Sequence, residues 1–160
     1  MDKQVAEQII RSFVGATMNV YRSLTNTDLA PSGIEKAASS LFKTSGVVIL
    51  LSFSGAFAGR TILATSEEMM EFIYECIMDG KPTQDDLLVT ANEFGNMVVG
   101  HAVTDINNRF RGSNVRPTPP SSYIGENLTF FNFKMSAYNV VFKSRHGDLK
   151  LNVALEEGAK

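Results

Sequence analysis

Residues 92–102, Asn-Glu-Phe-Gly-Asn-Met-Val-Val-Gly-His-Ala, carry the most information about the fold. An α-helix turns by about 100° per residue, which divides the surrounding residues between two sides. One side carries Leu88, Ala91, Gly95, Val98, Ala102 and Ile106. The other side carries Glu93, Asn96, Met97, Gly100 and Thr104. The pattern predicts an amphipathic helix over residues 86–107 whose apolar stripe faces the core.

The polar side of this helix holds a candidate functional site. Glu93 and Asn96 are three residues apart, so their Cβ atoms lie about 5 to 6 Å apart and both side chains reach one small site. Gly100 would let another backbone come close, although glycine weakens a helix by about 1 kcal/mol relative to alanine. Met97 supplies apolar contact beside the pair or is an ordinary exposed residue. Since such polar pairs are also common on solvated helix faces, spacing alone does not decide between function and simple exposure.

Two further helices are predicted. Apolar residues recur every three or four positions over 4–24, which favours an amphipathic helix. Residues 65–68, Thr-Ser-Glu-Glu, supply an N-cap candidate and an acidic first turn for a helix that runs to Asp79. Thr83 followed by Asp86 resembles a capping box at the start of the long helix.

Strand patterns fill most of the remaining sequence. Residues 47–54 and 57–65 form two strand-like runs joined at Gly55-Ala56, which predicts an antiparallel hairpin with a bulge at Gly59. A proline-containing loop over 112–120 precedes a predicted antiparallel strand meander over residues 123–124, 128–135, 137–144 and 149–155. This order predicts an α+β fold, a single domain over residues 1–160 with an antiparallel sheet covered by long helices.

Composition excludes several classes of protein. The chain is 44% hydrophobic and 20% charged, which is typical of a globular domain. Its formal net charge of -2, with basic residues scattered along the chain, argues against nucleic-acid binding. No apolar run is long enough to span a membrane, and the first residues lack the pattern of a signal peptide. A single cysteine, Cys76, permits no intrachain disulfide and is predicted to be a small core residue. We expect a cytoplasmic protein.

Familiar catalytic motifs are missing from the sequence. His101, His146 and Cys76 are far apart, so they do not form the ligand cluster that a transition metal needs. No glycine-rich phosphate loop or dinucleotide fingerprint is present. Ser54 lacks the preceding glycine of a nucleophile elbow. The sequence therefore offers no cofactor or metal site of its own.

The polar helix face resembles that of the chemotaxis phosphatases of the CheX and CheC family. These proteins remove phosphate from the aspartyl phosphate of the response regulator CheY. The resemblance rests on Glu93-x-x-Asn96, followed after 22 intervening residues by Pro119. Residues 92–102 and 119–125 resemble the family's phosphatase helix and the start of the following strand. The order of elements matches from about residue 5 to 155.

Two sequence details refine the resemblance. The longer form of the family motif has Asp or Ser four residues before the glutamate, whereas this chain has Val89. The CheC type carries a second Glu-x-x-Asn on its first helix, but here Glu7 is followed three residues later by Ile10. One motif favours the CheX type.

The resemblance implies a mechanism and a partner. The enzyme would be a protein phosphatase that acts on a phosphorylated CheY-like receiver domain. Asn96 would orient the attacking water, Glu93 would pair with the receiver's lysine, and Met97 and Gly100 would contact the partner. The receiver would supply the Mg²⁺, so the phosphatase would need no cofactor of its own.

The resemblance also implies a homodimer, because CheX-type relatives pair through sheet edges. Residues 128–155, with Phe130, Phe131, Phe133 and Phe142, would supply such an edge or belong to the core. Two alternatives to an enzyme stay open at this point. One is a non-catalytic interaction module of the same fold, like the middle domain of flagellar switch proteins. The other is a small-ligand sensor.

Overall fold

Residues 1–157 of a computed structural model describe three helices and eight strands. The helices are α1 (Lys3–Thr25), α2 (Glu67–Ile77) and α3 (Gln84–Arg109). The strands are β1 (Ala30–Pro31), β2 (Glu35–Lys36), β3 (Leu41–Ser54), β4 (Gly59–Thr65), β5 (Arg116–Pro117), β6 (Ser121–Phe131), β7 (Met135–Ser144) and β8 (Gly147–Glu156).

The strands form one antiparallel sheet in the order β1-β7-β8-β4-β3-β5. Strand β2 also pairs with β7, and β6 also pairs with β3. The helices contribute to the main core, against which one face of the sheet packs. The predicted α+β class is therefore confirmed. Within residues 1–157, no helix is both long enough and apolar enough to cross a membrane.

Helix α3 packs against both α1 and β3, which explains a difference from its predicted stripe. Phe94, Val99 and Val103 are buried in addition to the predicted residues, because a helix covered on two sides buries a wider surface. Leu88 is only half-buried, and its neighbour Leu87 occupies the core position instead. The predicted polar side remains the side that faces away from the core.

The predicted helix caps are confirmed. Ser66 is the N-cap of α2, and its hydroxyl accepts a hydrogen bond from the Met69 amide at 3.0 Å. At the start of α3, the Thr83 amide donates to the Asp86 carboxylate at 2.9 Å. The Asp86 amide donates in return to the Thr83 hydroxyl at 3.1 Å. Each cap satisfies amide groups that have no partner within the helix.

The end of α2 differs from the prediction. The helix ends at Ile77 rather than Asp79, and Cys76 is exposed rather than buried. All of its buried residues, Met69, Met70 and Ile73, come before the last turn. The prediction for Cys76 was wrong because this last turn lies outside the core.

The predicted hairpin of β3 and β4 is confirmed, but its bulge is elsewhere. Gly59 pairs in regular register with Phe53, and the register of β3 shifts instead between Thr44 and Gly46. Gly59 serves close packing, since a Cβ there would lie 2.0 Å from the Ala154 carbonyl oxygen. Glycine in a strand marks either a bulge or a close approach, and here it marks the second.

The predicted meander is wrong at its first step. Strand β6 pairs with β3, whereas β7 pairs with β8, so neighbours in sequence lie on different parts of the sheet. The ends of β3 and β6, residues 41–44 and 128–131, form a two-stranded arm. Arg60 donates to the Phe131 carbonyl at 2.9 Å and to the Asn132 side chain at 2.8 Å. These contacts bring the arm back over the sheet.

A second, smaller core lies beneath the arm. Its buried members are Phe42, Val48, Ile62 and Ala64, with Leu50, Leu128 and Phe130 packed against them. Val48 and Ile62 alternate with residues of the main core along their strands, so this cluster lies on the face opposite the helices. The arm thus shields an apolar patch of the outer sheet face from water.

Gly95→Ala is expected to destabilise the fold by about 1 to 2 kcal/mol, because overpacking outweighs the gain in helix propensity. The new Cβ would lie 2.6 Å from Cγ2 of Ile49 and 3.2 Å from Cδ1 of Leu51. Gly100→Ala is the matched control, since nothing lies within 4 Å of a Cβ there. We expect it to stabilise the fold by about 0.5 to 1 kcal/mol. Urea unfolding of both variants measures the difference, and equal effects would contradict this packing.

Candidate functional site

The candidate site lies on the outward face of α3. Glu93 and Asn96 are exposed, whereas the residues between them, Phe94 and Gly95, are buried. Gly95 packs directly against Ile49 of β3. Since the helix is held from behind, Glu93 and Asn96 are presented to solvent from a rigid element. The structure thus confirms the predicted exposure of both residues.

Neither Glu93 nor Asn96 is occupied by an internal interaction. Among the described residues, Glu93 forms no ion pair, and neither side chain takes part in a hydrogen bond. Other polar residues of α3 form hydrogen bonds within the protein. Asp105 accepts from the Ser12 hydroxyl at 2.5 Å, and Asn107 binds the backbone of Val115. The two candidate residues therefore have their full hydrogen-bonding capacity free for another molecule.

Met97 and Gly100 extend the same face. Met97 is half-buried and packs against the main core, so it is less exposed than the prediction placed it. Gly100 is one turn beyond Asn96 and has open space around it. The four predicted site residues thus form one continuous face of about two helical turns, at spacings of three and four residues.

Strand β6 begins beside this face. The Ser122 hydroxyl of β6 donates a hydrogen bond to the Asn92 side chain, next to Glu93 on α3. Pro119 is exposed in the loop just before β6. The preceding residue, Thr118, donates its backbone amide to the Ser52 carbonyl at 2.8 Å. Pro119 therefore lies in a loop that is held to β3 on one side of it, at Thr118, and to α3 on the other, at Ser122.

Asn92 and Ser122 are positioning residues that the sequence did not reveal. They are 30 positions apart, and no local pattern predicts that they meet. Asn107 has a similar role further along α3, where its side-chain oxygen accepts from the Ser113 hydroxyl and from the Val115 amide, both at 2.8 Å. These contacts hold the loop between α3 and β6 against the helix.

An apolar pocket of about 300 Å³ adjoins the site. Glu93 and Met97 contribute to its wall, together with residues from the ends of α1 and α2. A larger cavity of about 950 Å³ lies next to the arm and is lined by residues such as Lys43, Asn127 and Lys150. That cavity includes none of the predicted site residues. We therefore place the candidate site on α3 and not in the larger cavity.

Two titratable groups outside the site have shifted pKa values. Partial desolvation by its neighbours, followed by the Glu75 carboxylate, raises the pKa of the exposed Cys76 thiol, so the reactive thiolate is disfavoured. The hydrogen bond from Ser12 lowers the pKa of Asp105, which joins α1 to α3. Among residues 1–157, no group of three or more His, Cys, Asp or Glu side chains is arranged to hold a metal ion.

Comparison with known proteins identifies the family. The family model described as Chemotaxis phosphatase CheX matches residues 47–143, which is more than half of the chain and includes Glu93, Asn96 and Pro119. The chain belongs to the CheX family. No curated protein matches the sequence.

Solved structures share the fold of this CheX-family chain. A chemotaxis protein CheX from Desulfovibrio desulfuricans is 20% identical, with a TM-score of 0.84 over 92% of this chain and 99% of that one. The CheX-CheY-BeF3-Mg²⁺ complex from Borrelia burgdorferi contains a chain that is 21% identical, with a TM-score of 0.77, over 92% of this chain and 97% of that one.

A more distant structure shares the architecture less closely. The FliM middle domain from H. pylori is 9% identical, with a TM-score of 0.53 over 98% of this chain and 94% of that one. The overall fold is thus shared over nearly the whole chain even where few residues are the same.

Ser122→Ala is expected to lower stability by about 1 kcal/mol, because the half-buried Asn92 side chain loses its donor. Ser121→Ala is the matched control, since Ser121 is exposed at the neighbouring position and should change stability by less than about 0.5 kcal/mol. Denaturant unfolding compares the two variants. A Ser122→Ala variant as stable as the control would show that this bond does not hold β6 to α3.

Proposed function

We propose that this CheX-family protein hydrolyses the aspartyl phosphate of a CheY-like receiver domain. The proposal rests on one observation above others. A family described as chemotaxis phosphatase is matched here by a chain that presents Glu93 and Asn96, both exposed and unpaired, on a rigid helix. The relative from Borrelia burgdorferi has been solved in complex with CheY, BeF3 and Mg²⁺, which supports a receiver as the partner.

Asn96 is proposed to orient the attacking water. Its amide both donates and accepts hydrogen bonds and does not titrate, so it can hold a water molecule in line with the phosphorus over a wide pH range. Orientation of this kind is worth orders of magnitude in rate. The burial of Phe94 and Gly95 on the opposite side of the helix limits the movement of Asn96, which suits a positioning role.

Glu93 is proposed to pair with the receiver's active-site lysine. An unpaired carboxylate one turn from Asn96 would both attract that lysine and fix the register of docking. Met97 and Gly100 would contact the partner, since they flank the pair and leave its face unobstructed. When the receiver is loaded, its own Mg²⁺ neutralises charge on the phosphoryl group. The phosphatase itself is then left with recognition and water positioning.

We also propose a homodimer that forms through the edge of β6. Within the described residues, β6 pairs only with β3, so its outer edge is open to a second chain. Tyr123 and Phe131 are exposed along this strand, at 46% and 51%. For two of the other aromatics, the second of the two alternatives, membership of the core, holds. Phe142 is buried in the main core, and Phe130 packs in the second core, because β7 and the arm turn these side chains inward.

A non-catalytic module of the same fold is the rival function. The likeness to the FliM middle domain shows that the architecture extends beyond phosphatases of the CheX type. The enzyme is favoured because the segment that carries Glu93 and Asn96 lies within the match to the chemotaxis phosphatase family. A phosphate-decay assay on a labelled receiver separates the two functions, because only the enzyme accelerates the decay.

Asn96→Ala is expected to abolish the accelerated dephosphorylation, with a loss of at least about 100-fold in kcat. Stability should stay within about 0.5 kcal/mol of wild type because the side chain is exposed and unpaired. Asn108→Ala is the control, since Asn108 is an exposed asparagine on the same helix. Single-turnover decay of the receiver phosphate measures both. Wild-type rates in purified Asn96→Ala would show that this amide does not position the water.

Glu93→Ala is expected to weaken docking as well as turnover. The loss of a charge pair across an interface costs about 1.5 kcal/mol or more, which corresponds to a KM at least about tenfold higher. Glu93→Gln should show a similar rise, since it keeps the shape of the side chain but not its charge. Steady-state kinetics with a phosphorylated receiver gives both values. A KM unchanged in both variants would remove Glu93 from the docking surface.

A further inference from the structure

The pocket beside Glu93 gathers an unusual share of exposed apolar residues. Among the described residues, eight large hydrophobic side chains are exposed, and three of them line this one pocket. Ile77 is 47% exposed, Met78 is 54% exposed and Val89 is 63% exposed. Side chains of this kind are normally scattered singly, so a cluster around a concave site indicates a contact surface.

The pocket is continuous with the proposed site. Glu93 and Met97 belong to both, and Leu24 and Tyr74 complete the wall from α1 and α2. A partner whose active site reaches Glu93 and Asn96 therefore also covers the mouth of the pocket. Its volume of about 300 Å³ is ample for one large apolar side chain.

The stretch of chain that supplies most of the pocket wall is rich in carboxylates. Residues 67–93 contain eight carboxylates and one lysine, whereas the whole chain has a formal net charge of only -2. None of these eight carboxylates forms an ion pair with a described residue. Asp86 and Glu93 lie in the wall of the pocket itself, and the exposed Glu75 and Asp79 directly follow pocket residues in the sequence. We call these four carboxylates the acidic rim. Carboxylates without a positively charged neighbour attract cationic groups, so they favour a partner with lysine or arginine residues facing the acidic rim.

We propose that this pocket receives a large apolar side chain from the docked receiver, at a place on the receiver where the neighbouring residues are lysine or arginine. The inference rests on the proposed function and adds a determinant of receiver choice to it. Apolar burial would supply affinity, and the acidic rim would select receivers with a basic surround. Receivers with an acidic or polar residue at that place would be poor substrates.

The test uses the full-length chain and a CheY receiver loaded with BeF3 and Mg²⁺, with binding measured by titration calorimetry. Ile77→Ser together with Met78→Ser should raise Kd by about tenfold or more, because two exposed apolar side chains of the pocket wall are lost. With the phosphorylated receiver, KM should rise in the same variant while kcat stays unchanged. Leu41→Ser is the matched control, since Leu41 is 44% exposed but lies at the start of β3, outside the pocket.

The charge component has its own test. Glu75→Gln together with Asp79→Asn should reduce the dependence of Kd on ionic strength, because screened attraction is weaker when two carboxylates are removed. Both residues are exposed, so the fold should not change. An unchanged salt dependence would show that the acidic rim does not select the partner.

The outcomes distinguish the two proposals. If the wild-type chain neither binds the loaded receiver nor accelerates phosphate loss, the proposed function fails. If the wild-type chain acts and the Ile77→Ser, Met78→Ser variant binds equally well, the pocket assignment fails alone. If that variant changes a dimer into a monomer and leaves receiver binding intact, a second copy of this chain occupies the pocket and the inference is overturned.

Discussion

The close packing of α3 on β3 is the constraint on which the rest of the structure depends. At Gly95 the helix approaches the sheet so closely that a single added carbon would collide with Ile49. Phe94 fills the core beside it. Because these residues face inward, helical geometry turns Glu93 and Asn96 outward. The exposure of the two polar side chains is thus a consequence of core packing, and a change in the core would move the site.

The fold separates a rigid scaffold from a small working surface. The main core and the second core bury most of the apolar residues, and their fully buried side chains take no part in the proposed chemistry. In the proposed mechanism, the working surface would consist of a few side chains on one helix and the pocket beside it. In the proposed mechanism, the receiver would supply the metal ion and the phosphoryl group, and this chain would supply the side-chain amide of Asn96.

The features that were predicted correctly are those determined by residues close together in the sequence. The capping box of Thr83 and Asp86, the hairpin of β3 and β4 and the outward face of α3 follow from patterns within a few residues. Contacts between segments that are distant in the sequence were not predicted. Alternation of side chains predicts that residues 128–131 form a strand, but it does not say that β3 is the partner. The Asn92–Ser122 contact escaped prediction for the same reason. The identities of Glu93 and Asn96 came from a family motif, and the structure adds only their accessibility.

The central claim is that Asn96 enters the active site of a partner. A crystal structure of this chain with a CheY receiver loaded with BeF3 and Mg²⁺ tests it most directly. The account predicts the Asn96 amide within about 3 Å of a water molecule aligned with the beryllium, and Glu93 paired with a receiver lysine. A complex in which the receiver binds another surface, with Asn96 still facing bulk solvent, would contradict the account.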